Sequence, residues 1–268
     1  MSSDGRPESF EEVGPLDWED LVEEFGDREA GWVFRGQADA RWDLKTTLER
    51  YTPPGRKLSD AERILLREFK RRAHTYLEPQ LIPDEEGEWL ALMQHFGAPT
   101  RLLDTTRSPL VAAYFAVEDA VEGAKGCAVW AINRVDCLKG AGAAMIRATV
   151  DPVTQGKVRS ALAKLLREYE PSDVDLITGV GLSRASPDQW FKEAVPMVAP
   201  FEPEKVTERL SIQQGEFLVP RDVDISFMDN LKALALPSGA VVKLVLNLDE
   251  RGRALDWLRQ VNITRASL

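Results

Sequence analysis

The chain has 268 residues, of which 44% are hydrophobic and 29% are charged, a composition typical of a folded globular protein. Its formal net charge of −10 has the wrong sign for a protein that grips nucleic acid by broad neutralisation of phosphates, so only a local basic groove could serve that purpose. No apolar run approaches the roughly 18 residues that a transmembrane helix needs, and Cys127 and Cys137 do not have a metal-ligand spacing.

The N-terminal part of the sequence predicts a tail, a helix and a strand. Residues 1–15 are polar, contain glycine and proline, and indicate a loose tail rather than a secretory signal. Residues 16–25 have amphipathic helical spacing, and residues 31–36 are typical of a strand that ends at a glycine. We therefore expect one compact domain over residues 16–268, in the cytoplasm.

A long basic helix is expected next, over residues 59–77. Ser59 and Glu62, three positions apart, predict a capping box at its start. We expect the positive charge on this helix to form a solvated face rather than a binding surface. The basic residues in question are Lys57, Arg63, Arg67, Lys70, Arg71 and Arg72.

The segment between residues 88 and 121 changes its structural period twice. Residues 88–95 have the spacing of a helix end, and a glycine and a proline then interrupt it. Residues 100–104 have an apolar centre that suits a short buried strand. Ser108 and Pro109 are a strong helix opening, because a hydroxyl caps the first turn and the proline ring sets its φ angle. A core helix is therefore expected over residues 110–121.

The remaining sequence mixes strands and helices without an internal repeat. A proline-rich stretch in its middle is the hardest part to interpret, and no serine-histidine-acid spacing or phosphate-cradling glycine loop is present. The scattered strands predict an α+β fold rather than a regular doubly wound sheet. The expected strands are residues 127–132, 195–198, 216–219 and 240–246, and the expected helices are residues 157–168 and 250–261.

Arg35 is the first candidate for a ligand contact. It stands at the end of an apolar strand, between Phe34 and Gly36, so its stem is held while its guanidinium can present a planar fork to phosphate or carboxylate. Gly36 would let a ligand approach the backbone closely, and Gln37 could assist. The alternative is that Arg35 forms a structural salt bridge.

A second polar cluster follows the predicted buried strand. It consists of Thr100, Arg101, Asp104, Thr105 and Ser108. Strand alternation puts Arg101 and Asp104 on opposite faces unless the strand bends. Ser108 is most simply explained as a helix N-cap. In the helix that follows, Tyr114 and Phe115 are expected in the core rather than as ring-stacking platforms.

Three further polar side chains are candidates. Gln214 and Glu216 are two residues apart on a segment expected to be extended, which would put both on one face. From the residues alone, Glu216 could simply be an exposed strand glutamate. Gln94 and His95, at a helix end, could support the structure or point into a pocket, and an isolated histidine is poor support for a metal site.

The motifs around these residues resemble the FRG domain, which is named for its Phe-Arg-Gly motif. The resemblance rests on Phe34-Arg35-Gly36-Gln37, on the long string from Met93 to Ala116, and on a weaker third motif at residues 211–217. It covers roughly Val33 to the C-terminus. FRG domains look like relatives of the ADP-ribosyltransferase fold, so the resemblance implies a split, mixed or antiparallel β core with surrounding helices, and NAD as a co-substrate.

The resemblance also implies roles for the candidate residues. Arg35, with Gly36 and Gln37, would anchor the dinucleotide, and Gln94, His95 and the segment from Thr100 to Ser108 would line its site. Glu216 would steady the ribosyl cation, and Gln214 would orient the acceptor.

These roles imply an NAD-dependent mono-ADP-ribosyltransferase of FRG type, with a protein or nucleic-acid acceptor. A bacterial toxin or anti-phage effector, for which a neutralising partner could exist, is the biological role that such a protein would suit. The alternatives are a non-catalytic nucleotide- or partner-binding module, and a phosphate-transferring RNA-repair activity on the related fold.

Overall fold

The computed structural model of the protein describes residues 10–26, 28, 30–77, 82–121, 123–149, 194–203 and 208–268. The helix expected over residues 157–168 lies outside these residues. The strands are β1 (Glu11–Leu16), β2 (Trp32–Gln37), β3 (Leu103–Thr106), β4 (Gly126–Asn133), β5 (Val198–Phe201), β6 (Gly215–Pro220) and β7 (Val241–Asn247). The helices are α1 (Trp18–Gly26), α2 (Thr47–Tyr51), α3 (Leu58–Ala73), α4 (Glu86–His95), α5 (Pro109–Glu118), α6 (Arg134–Thr149), α7 (Glu208–Ile212), α8 (Phe227–Ala233) and α9 (Arg251–Gln260), with a short 3₁₀ turn at Leu248–Glu250.

The seven strands form one mixed sheet in the order β1-β7-β4-β2-β3-β6-β5. β1 runs parallel to β7, and the other neighbours are antiparallel. The α+β prediction is confirmed. The sheet is continuous rather than divided, but β2 and β3 are joined by a single pair, Phe34 with Thr106. The strands therefore diverge beyond this pair, which leaves a gap near the middle of the sheet.

Residues on the two faces of the sheet pack against different helices. One face packs on α6 and α8. On the other face, α1, α5 and α9 cover β7, β4 and β2, while α3 and α4 cover β6 and the residue before β3. The boundary between these two groups of helices lies above the β2–β3 junction. The fold therefore places a cleft where the sheet is least tightly joined.

Local signals correctly predicted the helix that borders this cleft. The hydroxyl of Ser108 accepts a hydrogen bond from the amide of Val111, and Pro109 occupies the first helical position of α5. The helix is buried on most sides because it fits between β2, β4 and α9. Its apolar sequence thus reflects burial by several partners rather than one amphipathic face.

The predicted capping box at Ser59 and Glu62 is wrong. Lys57 precedes α3 without a side-chain cap, and Ser59 instead donates its hydroxyl to Asp224. A capping box is present in α2, where the Thr46 hydroxyl accepts from the amide of Glu49 and the Glu49 carboxylate accepts from the amide of Thr46. The spacing of Ser59 and Glu62 is that of a capping box, but both side chains bond to residues that are distant in the sequence.

Other element boundaries differ from the predictions. Residues 11–15, predicted as part of a loose tail, form most of β1, because this strand pairs with β7 at the edge of the sheet. β3 occupies residues 103–106 rather than 100–104, and β5 occupies residues 198–201 rather than 195–198. The strands expected at 127–132, 216–219 and 240–246 and the helix at 250–261 are confirmed within a few residues.

The basic face of α3 is largely solvated. Arg63 pairs with Asp60 and Arg71 with Glu68, both at exposed positions one helical turn apart. Such surface pairs contribute about 0–1 kcal/mol each to stability. Among the helices of the described ranges, none combines the length and the apolar composition needed to cross a bilayer.

Candidate functional site

A cavity of about 890 Å³ lies above the β2–β3 junction, between α4 and α5. This volume is within the roughly 300–1,000 Å³ that small-molecule sites occupy. Polar groups from β2, β3 and the segment 41–50 face it, together with an apolar wall. The apolar wall includes Ala91, Leu92, Val111, Ala112, Phe115 and Phe217.

Arg35 reaches across the junction from β2 to β3. Its Nη1 donates a 2.6 Å hydrogen bond to the main-chain carbonyl of Asp104 and lies 3.7 Å from the Asp104 carboxylate. The Arg35 Nε is buried and has no hydrogen-bond partner within the described part of the chain. Burial lowers the pKa of the Arg35 guanidinium; the Asp104 carboxylate opposes this, and the nearby charge of Arg50 adds to it. Arg35 thus makes a structural bond across the junction, and its buried Nε keeps no partner in the described part of the chain.

Asp104 is the carboxylate that faces the cavity beside Arg35. Its side chain is 55% exposed, and its Oδ1 accepts a 2.7 Å hydrogen bond from Nε2 of Gln94. The Gln94 carbonyl oxygen in turn accepts from the hydroxyl of Thr100, whose backbone exchanges hydrogen bonds with the Thr47 hydroxyl. The chain of bonds fixes the Gln94 amide, so the Asp104 carboxylate is held in a defined position.

Gly36 lines the cavity, but its conformational role differs from the one expected. A Cβ atom at Gly36 would overlap the carbonyl oxygen of Ala112 and come within 2.7 Å of the amide nitrogen of Ala116. The absent side chain therefore lets α5 approach β2 closely. The close approach made by this glycine is to a helix of the protein itself.

Gln37 also lines the cavity, although its amide is used for structural bonds. Its Oε1 accepts from the indole Nε1 of Trp130 at 2.8 Å, and its Nε2 donates to the carbonyl of Asp43 at 3.1 Å. Gln37 consequently fixes the start of the 41–50 segment. His95 is exposed, lies at the cavity wall and contacts the ring of Phe96 edge-on.

Arg101 does not line the cavity. Its Nε donates to both carboxylate oxygens of Glu62 at 2.8 and 2.9 Å, and its Nη1 donates to the carbonyl of Arg221. Both members of the ion pair are buried. Arg101 precedes the first residue of β3, so strand alternation does not apply to it, and its bonds to Glu62 give it a structural role.

Of the other residues of the second cluster, Thr105 lies at the cavity, and Thr100 and Ser108 have structural positions. Thr105 lines the cavity, but its hydroxyl donates to the main-chain carbonyl of Glu216. Thr100 is buried beneath Gln94, and Ser108 caps α5. Tyr114 is in the core as expected, whereas Phe115 packs against the core and also borders the cavity.

Glu216 is placed outside the cavity, in a buried cluster of ion pairs. Its side chain has 0% exposure; Oε2 lies 2.9 Å from Nε of Arg107, and Oε1 lies 3.2 Å from Nε of Arg134. Glu202 joins the cluster through both arginines. Burial is the main cause that raises the pKa of Glu216 to about 7, and Glu202 adds to it, while Arg134 and Arg107 oppose the shift.

The expected pairing of Gln214 with Glu216 on one strand face is also wrong. Gln214 has a φ angle of +48°, is exposed, and precedes the first residue of β6. Strand alternation therefore does not apply to it. The structure brings Arg35, Gln94, His95 and Asp104 to the cavity, and it does not bring Glu216 or Gln214 there.

Sequence reasoning missed several residues of the cavity wall, among them a tryptophan and two cations. Trp42, Lys45 and Arg50 come from the segment between β2 and α3, for which the sequence predicted neither a helix nor a strand, and all three line the cavity with exposed side chains. Their spacing matches no helical or strand period. The available signal was compositional: a tryptophan and two cations close to the Arg35 motif.

Neither a cysteine nucleophile nor a metal site finds support in the described ranges. Cys127 and Cys137 are both buried, and burial raises the pKa of each thiol to about 12, so both are poor nucleophiles. Within the same residues, no group of three or more histidine, cysteine and acidic side chains is placed to hold a metal ion.

The fold and the cavity define an α+β protein with a ligand-sized cleft at the centre of a mixed sheet. The family model of the FRG domain matches residues 30–125, so this part of the chain matches the family that its motifs indicated. No curated protein and no solved structure matches the chain significantly. The matched residues include β2, β3 and α2 to α5, and therefore most of the cavity wall.

Proposed function

We propose that the protein is an NAD-dependent mono-ADP-ribosyltransferase that binds the dinucleotide in the cavity between α4 and α5. The observation that carries the proposal is the meeting of Arg35 and Asp104 at the cavity wall, where a guanidinium lies beside an exposed carboxylate. The two groups come from the two strongest FRG motifs, 69 positions apart in the chain.

The cavity suits a ligand with an anionic part and a cationic part. Lys45 and Arg50 line it with side chains that form no ion pair in the described part of the chain, and they can neutralise phosphate. Asp104 supplies a carboxylate elsewhere on the wall. NAD has both features, a diphosphate and a positively charged nicotinamide ring.

Asp104 takes the role that the sequence suggested for Glu216. In ADP-ribosyl transfer the bond between ribose C1′ and the nicotinamide nitrogen breaks, its electron pair leaves with nicotinamide, and an acceptor nucleophile bonds to C1′ and loses its proton. A fixed carboxylate near C1′ stabilises the positive charge that develops on the ribose. Gln94 holds the Asp104 carboxylate, and Arg35 orients the ligand by hydrogen bonding.

The acceptor in this proposal is a protein or a nucleic acid. A role as a bacterial toxin or anti-phage effector, with a neutralising partner, belongs to the same proposal and follows from the family resemblance.

Nicotinamide release from labelled NAD tests the proposal. Asp104→Asn keeps the shape of the side chain, and its expected loss of turnover is on the order of 10²–10³ with affinity largely retained. Asp43→Asn is the matched control, since Asp43 is another exposed carboxylate of the cavity wall and should retain activity. Equal rates for the two variants would contradict the role of Asp104.

The second candidate function is a non-catalytic nucleotide-binding module. It is favoured by the position of Glu216, because the carboxylate that the resemblance made catalytic is held in ion pairs away from the cavity. Binding of NAD by calorimetry, without nicotinamide release in the presence of protein and nucleic-acid acceptors, would identify this function.

A further inference from the structure

The segment 41–50 presents a tryptophan and two cations on one side of the cavity. Trp42 is 47% exposed although it is a large aromatic residue, and its ring contacts no other aromatic ring in the described ranges. Lys45 and Arg50 are exposed, and their side chains form no hydrogen bond or ion pair there. An aromatic face and two unpaired cations at one cavity wall are groups that recognise a base and its phosphates.

The backbone of this segment is held rigidly on both sides of these residues. Leu44, Thr46 and Leu48 are buried, so they alternate with the exposed positions and anchor the chain. The carbonyl of Asp43 accepts from Gln37, and Thr46 makes the capping box that starts α2. A wall fixed in this way loses little conformational entropy when a ligand binds.

The two other charged side chains of the segment that line the cavity, Arg41 and Asp43, do not compete for the same role. Arg41 is held by Asp39, whose Oδ1 accepts from the Arg41 Nε at 2.9 Å. Asp43 is exposed at the wall, and a carboxylate is not a group that binds phosphate. Arg50 is also close enough to Arg35 to lower the pKa of that guanidinium, so two cations converge at this end.

We propose that Trp42, Lys45 and Arg50 form a subsite for a nucleoside diphosphate, with the base on the indole ring and the phosphates between the two cations. The inference deepens the proposed function, because it names the part of the cavity that holds the nucleoside-phosphate half of the dinucleotide. The subsite needs neither nicotinamide nor turnover, so ADP alone is the probe for it.

The experiment is calorimetric titration of the protein with ADP, adenosine and inorganic diphosphate at two salt concentrations. The loss of a charge-assisted contact in Lys45→Ala or Arg50→Ala should weaken ADP binding roughly tenfold to a hundredfold. Trp42→Ala should weaken it about fivefold or more, while Trp42→Phe retains most of the affinity. Higher salt should weaken ADP binding more than adenosine binding.

Matched controls are available on nearby helices. Tyr51→Ala removes an aromatic side chain that is 74% exposed but does not line the cavity, and Arg63→Ala removes an exposed cation on α3. Both should bind ADP like the unaltered protein. All of the substituted side chains are exposed, so the variants are expected to fold.

The possible results separate this inference from the proposed function. ADP binding that depends on Trp42, Lys45 and Arg50, without nicotinamide release from NAD, supports the subsite and rejects the transferase. Absence of ADP binding to the unaltered protein overturns the subsite even if NAD is cleaved. Inorganic diphosphate that binds as tightly as ADP also overturns it, because the indole would then hold no base.

Discussion

The guanidinium of Arg35 and the main-chain carbonyl of Asp104 form a 2.6 Å hydrogen bond across a junction where β2 and β3 share a single strand pair. This side-chain bond stands where ladder hydrogen bonds would continue in a regular sheet. It therefore connects the two halves of the sheet while leaving room for a cavity above them. Arg35 therefore both links the two strands and lines the cavity.

Replacement of Arg35 should loosen the junction. Arg35→Ala removes the bond to Asp104 and should lower the free energy of unfolding by about 1–3 kcal/mol. Hydrogen exchange of the amides in β2 and β3 should become faster, while exchange in β4 and β7, which pair over seven positions, should not change beyond the global effect. Uniform acceleration throughout the sheet would show that the bond has no local role.

Gly36 should tolerate no side chain. In Gly36→Ala the new methyl group would overlap the backbone of α5 at Ala112, and we expect destabilisation of about 1–3 kcal/mol or more, measured by denaturant unfolding. Gly252→Ala in α9 is the control, since nothing lies within 4 Å of a Cβ at that position. Alanine there should be neutral or stabilising by up to about 1 kcal/mol. If Gly36→Ala is as stable as this control, α5 must approach β2 less closely than described.

The buried pair of Arg101 and Glu62 should matter for stability and not directly for ligand binding. Glu62→Gln or Arg101→Met leaves one buried partner without its counter-charge and should cost about 3–5 kcal/mol of unfolding free energy. The double variant Glu62→Leu/Arg101→Met should recover part of the loss, because no unpaired charge remains. Below the melting temperature, the ligand affinity of the folded protein should be unchanged. A loss of affinity in a variant that remains folded would show that Arg101 contributes to ligand binding.

Glu216 should make stability depend on pH. The pKa of its carboxyl is raised from 4.5 to about 7 in the folded protein, so the folded state holds this proton more tightly than the unfolded state. Its contribution is fully present below pH 4.5 and is lost as the pH rises through about 7. Arg107, Arg134 and Glu202 face the same carboxylate.

The measurement is denaturant unfolding of the unaltered protein and of Glu216→Gln between pH 4.5 and pH 8. The glutamine variant lacks this titration, so its stability should fall less as the pH rises. Parallel curves for the two proteins over this interval would show that the folded-state pKa of Glu216 is ordinary.

Features set by local chemistry could be predicted from the sequence. The cap at Ser108, the buried strands β4 and β7 and the α+β class follow from side-chain spacing and turn residues, which act within a few positions. The two FRG motifs correctly pointed to Arg35 and Asp104 as residues of one cavity. Residues 11–15 escaped prediction because a short edge strand is defined by its partner β7 rather than by its own pattern.

The use of each polar side chain was decided by the tertiary structure. Arg101 is structural because Glu62, 39 positions earlier, meets it in the interior, and Glu216 is held by arginines from two other segments. The hydroxyl of Thr47 bonds to the backbone of Thr100, which helps to bring the 41–50 segment to the cavity wall. Spacing in the chain specifies which face of an element a residue occupies, but the partner on that face comes from a distant segment whose position depends on the packing of the whole sheet.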